Sequence, residues 1–292
     1  MFYNILKHIA NPKGDEFMNP QTPNRIKAWE ELTIRDNFIF QQAMQNEALC
    51  KGFIERLLRV KVRHIKYLTA EKTIELSAFG KGVRLDVFVA DSRGAVYTLE
   101  MQTYYISYEE LAKRTRYYQS EIDLEILLKG MDYDELKNSF IVFICDFDPF
   151  GLGRLIYTFR NRCIEADGLE LGDGATKIFL NAKGKTGDID PDIEKFLRYV
   201  SGKPAEGEFT KTLADEVSRI KRHEETKVAY MTLTAEIMRQ RRFGREEGRE
   251  EGRESIIKKM LIEGASLEFI SKVSGWTAEK ILALRNQPLV NA

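Results

Sequence analysis

The sequence predicts an α/β protein: a mixed sheet core flanked by helices, with an α-helical C-terminal extension. Three observations carry that expectation. The stretch "VRLDVFVADSRGAVYTLEMQTYY", Val83 to Tyr105, reads as two facing strands; a long amphipathic segment follows it; and further apolar runs precede a strongly charged C-terminal third.

From Asn37 to Arg59 the apolar positions Phe38, Phe40, Met44, Leu49, Phe53, Ile54, Leu57 and Leu58 recur at helical spacing, with a turn near "QNEA". Two helices that face a core account for that pattern. "KVRHIKYL" alternates imperfectly and reads as a short strand. In the hairpin, Val83, Leu85, Val87 and Val89 alternate with Arg84, Asp86, Phe88 and Ala90, and Tyr97, Leu99 and Met101 alternate with Thr98, Glu100 and Gln102. "DSRG" makes the turn, where Gly94 is free to adopt a left-handed backbone. A helix is predicted from Ser107 to about Lys129, stopped by Gly130. "SFIVFICDF", "RLIYTFRNRC" and "TKIFLNA" then supply further strands, and "GKTGDIDPD" leads into helices.

Beyond Phe209 the chain becomes charged helix, including "GREEGREEGRE" from Gly244 to Glu254. Arg and Glu one turn apart stabilise such a helix by a few tenths of a kcal/mol per pair, whereas each glycine costs about 1 kcal/mol. The repeat therefore reads as a solvated connector. The last stretch holds three short helices, with Ser266 and Thr277 as caps and Gly264 and Gly275 as stops, resembling a small helix-turn-helix unit. Thr277, Ala278 and Glu279 do not invite major-groove contact, so an interaction or oligomerisation role is favoured there over reading of DNA. The expected organisation is a poorly ordered N-terminal segment (residues 1–30), a sheet domain (31–205), a charged connector (206–254) and a helical tail (255–292).

Bulk composition excludes little. Lys plus Arg and Asp plus Glu both total 45, so net charge argues neither for nor against a polyanionic partner. Cys50, Cys145 and Cys163 are widely spaced and odd in number, which fits a reducing compartment better than a disulfide framework or a zinc site. No apolar run approaches a membrane span, no signal-peptide core opens the sequence, and a cytoplasmic protein is expected.

The hairpin acids are the unusual feature. If Ser92, Arg93 and Gly94 form the loop so that Asp91 opposes Ala95, Asp86 lies directly across from Glu100, with Cβ atoms about 4.5 to 5.5 Å apart. Gln102 shares their face. Two carboxylates so placed repel each other and lose hydration, a conflict that a bound Mg²⁺, with Mn²⁺ or Ca²⁺ as substitutes, would remove. Such an ion suits phosphodiester hydrolysis. The competing reading pairs Asp86 with Arg84 or a helix arginine and leaves Glu100 at a solvated strand end. For a polyanion, "ERLLRVKVRHIK" carries Arg56, Arg59, Lys61, Arg63 and Lys66, and "KRTR" carries Lys113, Arg114 and Arg116.

"RLDVFVAD…YTLEMQ", "KRTRYYQSEID…LLKGMDYDELK", "SFIVFICDFD" and the upstream "IRDNFIFQQAM" together resemble the Rpn family of recombination-promoting nucleases and transposases, within the PD-(D/E)XK nuclease superfamily. The resemblance spans roughly Thr33 to Lys183. It implies a restriction-endonuclease-like fold, a Mg²⁺-dependent endonuclease acting on DNA, and Asp86 and Glu100 as metal ligands, with Asp36 as a further ligand or, equally, a helix cap. Gln102 stands where the superfamily usually carries lysine, so that E-x-Q replaces E-x-K; Gln102 would help position water, and Arg114, ahead of Lys113 and Lys81, is the first candidate to restore the missing charge. Arg56, Arg59, Arg63, Lys113 and Arg116 are the expected DNA contacts, and Tyr117 and Tyr118 candidates for the substrate strand or the core. His64, His8 and His223 offer no constellation. A homodimer would supply two active sites for a double-strand break. The alternative is a catalytically impaired DNA-binding or protein-interaction module that works through the helical tail. Met18, ahead of the polar "NPQTPN", is expected to be the true start; mass spectrometry of the natively expressed protein should find no peptide from residues 1–17.

Overall fold

The computed structural model of the chain describes residues 26–68, 85–127 and 132–285. In order they form α1 (Asn37–Met44), α2 (Glu47–Leu58), β1 (Ile65–Tyr67), β2 (Val87–Asp91), β3 (Val96–Gln102), α3 (Tyr108–Ile126), β4 (Ser139–Cys145), β5 (Ile156–Phe159), β6 (Ala175–Asn181), α4 (Pro191–Val200), α5 (Gly207–Arg222), α6 (Glu224–Ile262), α7 (Leu267–Ser274) and α8 (Ala278–Arg285). The expectations for residues 1–25, including Met18 and His8, and for Lys81, Arg84 and Gly130, fall outside the described residues.

The central hairpin has the expected register, and Asp91 is what pins it. Its buried carboxylate accepts from Arg93 N–H at 2.8 Å, Ala95 N–H at 3.0 Å and the Tyr97 hydroxyl at 3.0 Å. Gly94 takes the left-handed backbone at φ +84°. Asp91 thus opposes Ala95, and the pairs Val87 with Leu99 and Phe88 with Thr98 follow. One step further out, Asp86 faces Glu100.

The sheet runs β1-β2-β3-β4-β6-β5, with β3, β4 and β6 mutually parallel and the other pairs antiparallel. This is the mixed α/β sheet of a restriction-endonuclease-like fold. The parallel strands β3 and β4 are joined across α3, which lays Leu111, Tyr118 and Ile122 on Ile141, Phe143, Cys145 and Phe179. Phe143 stacks on both Tyr118 and Phe179, and burying each such side chain stabilises the layer by about 1.5 to 3 kcal/mol. Around β3, α1 joins α2, α4 and α5 in a helical layer whose Ile39, Phe40, Phe53, Ile193, Phe196 and Leu213 are fully buried.

Two expected boundaries change. The strand predicted over "RLIYTFRNRC" shrinks to Ile156–Phe159, because as an edge strand it pairs only with β6; Arg154 and Arg162 make isolated bridges to Thr186 and Glu170 instead. The helix expected to reach Lys129 leaves helical geometry at Leu127.

The chain divides into compact units at Lys227/Val228. α6 runs through Gly244, Gly248 and Gly252 without a break. In the second unit Ile257, Ile270, Trp276, Ile281 and Leu284 form a small core, Ser266 caps α7 and Gly275 ends it at φ +71°. Among the described residues no helix is long and apolar enough to cross a membrane.

Gly94→Ala tests the turn: the new Cβ would meet the Lys137 side chain at 3.0 Å in a left-handed backbone, and urea unfolding should show a loss of about 1 to 2 kcal/mol.

Candidate active site

The sheet edge that ends β3, β4 and β6 is where an open α/β sheet leaves a crevice, and the predicted acids sit there. Asp86, Glu100 and Gln102 are only 5%, 4% and 3% exposed. Asp86 N–H donates to Glu100 Oε1 at 2.9 Å, which fixes the two side by side. The Asp86 carboxylate accepts from Met101 N–H at 3.0 Å, from Gln41 Nε2 at 2.8 Å and from Asn37 Nδ2 at 3.0 and 3.2 Å. Asn37 and Gln41 lie one turn apart, so α1 presents both from one face.

Burial decides the electrostatics. It pushes the Asp86 carboxyl up, against the pull of the Met101, Gln41 and Asn37 hydrogen bonds and the Arg114 charge. Glu100 is driven well above the usual carboxylate range by burial and then by Asp86 beside it, with the Asp86 N–H and Arg114 opposing. Among the described residues no arginine pairs directly with Asp86, and Glu100 is buried rather than at a solvated strand end. Cys145, in register with Gln102, is held as a neutral thiol because burial lifts it to about 12.

Arg114 enters from α3. Its Nη1 donates to Gln102 Oε1 at 2.8 Å and its Nη2 to the Tyr118 hydroxyl at 2.8 Å. The guanidinium lies 5.4 Å from the Tyr118 ring centre and 5.2 Å from that of Phe143. Burial opposes its charge, but the Tyr118 hydrogen bond and the nearby Glu100 outweigh that and raise its pKa. Gln102 Nε2 donates to Tyr104 O at 2.7 Å. The glutamine expected to position water is therefore engaged at both ends, and what it holds is Arg114.

Other expected residues lie elsewhere. Asp36 accepts from Thr33 N–H at 2.8 Å and pairs with Lys27 at 2.5 Å, and its side chain makes no cap to α1; its carboxylate is engaged away from the acid pair. Arg56 donates to Asp192 at 3.0 Å and lies over Phe209. Arg59 forms a two-pronged pair with Asp188 at 2.6 and 3.1 Å. Both charges are balanced by acids more than a hundred residues downstream. Arg63, Lys61, Lys66 and His64 are exposed near β1, and Lys113 and Arg116 on the outer face of α3. Tyr118 is core and Tyr117 is partly exposed. His223 contacts Thr226.

Sequence reasoning missed Asn37 and Gln41, although two amides four apart, and so on one face of the predicted helix, were a visible signal. It also missed Asp146, just beyond β4. The Asp146 N–H donates to Gln102 O, and its carboxylate pairs with Arg35 and, at 3.3 Å, with Lys183. Beside it Tyr104 and Tyr105 are 52% and 70% exposed, Tyr105 resting edge-on against Phe147. Among the described residues no group of three or more acidic, histidine or cysteine side chains gathers that could hold a metal ion; Asp86 and Glu100 are two buried carboxyls held side by side.

The family model described as PD-(D/E)XK nuclease family transposase matches residues 37–157, from α1 into β5, a span that holds Asp86, Glu100, Gln102 and Arg114. The match agrees with the resemblance read from the sequence: this segment is similar to a nuclease family transposase domain. Nucleases of this superfamily generally use divalent metal ions. No curated protein and no solved structure matches the chain significantly.

Both carboxyls are raised on folding, so folding takes up protons. That stability is complete below about pH 4, where unfolded carboxyls are protonated, and is lost as pH rises through the folded values. The metal-free protein should melt at progressively lower temperature from pH 5 to pH 8, and Glu100→Gln should flatten that slope; a variant with the wild-type slope would place the cost elsewhere.

Proposed function

We propose that the chain is a Mg²⁺-dependent DNA endonuclease of the PD-(D/E)XK type that promotes recombination or DNA mobility, with Asp86 and Glu100 as the ligands of the ion. The observation that carries this reading is the facing of two buried carboxylates with one arginine, Arg114, reaching the same crevice. The donor set fits the ion: hard oxygen ligands whose mutual repulsion a divalent cation neutralises. When bound, the ion would supply a hydroxide-like water at neutral pH and charge on a phosphate oxygen.

The chain's own residues do the rest. Asp86 is oriented by Met101 N–H, Gln41 and Asn37, and Glu100 by Asp86 N–H. Arg114, kept cationic and lying over the Tyr118 and Phe143 rings, would face the charge that develops on the phosphoryl oxygens as water oxygen attacks phosphorus and the bond to the leaving oxygen breaks. It takes the part of the motif lysine. Gln102 is a positioning residue: one amide aims the guanidinium and ties the β3 end to Tyr104. Arg35 and Lys183 at the same edge, Lys113 and Arg116 on α3, and the exposed Tyr104 and Tyr105 are suited to the flanking backbone and bases. Arg56 and Arg59 are weaker candidates because acids balance them, whereas the exposed Arg63 remains available. Three free cysteines fit a reducing, cytoplasmic setting, and a homodimer is the simplest route to cutting both strands.

Supercoiled plasmid incubated with the purified protein and Mg²⁺ should be nicked or linearised. Asp86→Ala and Glu100→Ala should abolish cleavage and Arg114→Ala should slow it about 100- to 1,000-fold. Cleavage that survives both acid substitutions would overturn the assignment, and DNA binding without cleavage in the wild type would identify a binding module instead.

A further inference from the structure

The hydrogen bonds on Asp86 engage both of its oxygens. An ionised carboxylate offers about four lone-pair sites, and three donors crowd them: Asn37 Nδ2 bridging both oxygens at 3.0 and 3.2 Å, Gln41 Nε2 at 2.8 Å and Met101 N–H at 3.0 Å. Glu100 also spends Oε1 on the Asp86 N–H. In this arrangement a cation at Asp86 would meet the two carboxamide NH₂ groups turned toward the same oxygens. The backbone donor is fixed by the hairpin, but the two carboxamides are free to change: Asn37 is exposed and Gln41 half-buried. A carboxamide carries a donor nitrogen and an acceptor oxygen on one carbon, and rotation about the last side-chain torsion, which is broad and two-fold, exchanges them.

We propose that Asn37 and Gln41 are reversible neutral ligands of the site: they clamp Asp86 through their NH₂ groups in the metal-free protein and turn their oxygens inward when a divalent cation binds. The inference rests on the reading of Asp86 and Glu100 as a cation site. One rotation does two things there, since it frees lone pairs on Asp86 and adds an oxygen of the kind that hard cations take from Asn and Gln side chains. Neutral oxygens also suit the charge count. Two carboxylates already balance a divalent ion, so neutral oxygens complete its shell without adding charge. Asn37 and Gln41 lie one turn apart on α1, so the helix presents both carboxamides to Asp86 while Ile39, Phe40, Ala43 and Met44 are buried in the core.

The full chain is titrated with Mn²⁺ without DNA, with free ion read from its electron paramagnetic resonance signal. Asn37→Ala and Gln41→Ala remove both donor and acceptor; Asn37→Asp and Gln41→Glu keep an oxygen of the same reach without an N–H. Ligation predicts that each alanine variant weakens Mn²⁺ affinity about 10-fold or more, while the acidic variants match or exceed the wild type. A pure clamp would compete with the ion, so alanine variants that bind as tightly as or tighter than wild type overturn the inference, as do acidic variants that bind no better than alanine ones. Asp86→Asn separates the two levels: if wild-type binding does not depend on Asp86, the cation reading itself fails, whereas Asp86-dependent binding untouched at Asn37 and Gln41 removes only the role of the carboxamides.

Discussion

Two carboxylates held side by side in a place with almost no water are the constraint around which the rest of the sheet edge is arranged. Burial and mutual repulsion both oppose ionisation of Glu100, and among the described residues neither Asp86 nor Glu100 has a direct ion pair to relieve it. What relieves it is a set of dipoles and one nearby cation: Met101 N–H, Gln41 and Asn37 on Asp86, Asp86 N–H on Glu100, and the Arg114 charge. A sheet selected only for stability would place Val or Ile at those positions.

The scaffold makes that arrangement stiff. Asp91 ties the hairpin loop through three hydrogen bonds, so the register cannot slip by one residue and turn Asp86 to the other face. The parallel neighbour β4 sets Phe143 beside Glu100 and Cys145 beside Gln102, which makes the floor under the acids apolar. α3 closes that floor with Tyr118, and Tyr118 in turn fixes Arg114 through its hydroxyl. The same packing that stabilises the domain therefore lowers the local dielectric and aims the guanidinium.

Legibility differed by residue. Helical and strand periodicity located the elements from α1 to β6, and the "DSRG" turn was enough to face Asp86 with Glu100. Arg114 was legible as the first candidate to compensate for Gln102, because it lies on the helix that follows the hairpin. The ion pairs of Arg56 and Arg59 were not legible, since Asp192 and Asp188 are far along the chain and no local pattern announces their approach. Asp36 looked like a ligand or a cap and is engaged by Thr33 and Lys27 instead, a rotamer choice invisible in one dimension.

The sequence by itself determined the α/β class, the hairpin register and the identity of the facing acids, because period-two alternation and a three-residue loop are local geometry. Only the tertiary structure decided which partners surround them. Asn37 and Gln41 reach Asp86 from another element 45 residues or more away, Gln102 bonds Arg114 and Tyr104 O, and Arg35 and Lys183 meet at Asp146 from opposite ends of the domain. Contacts of that range are set by how layers pack, and packing is a property of the whole chain.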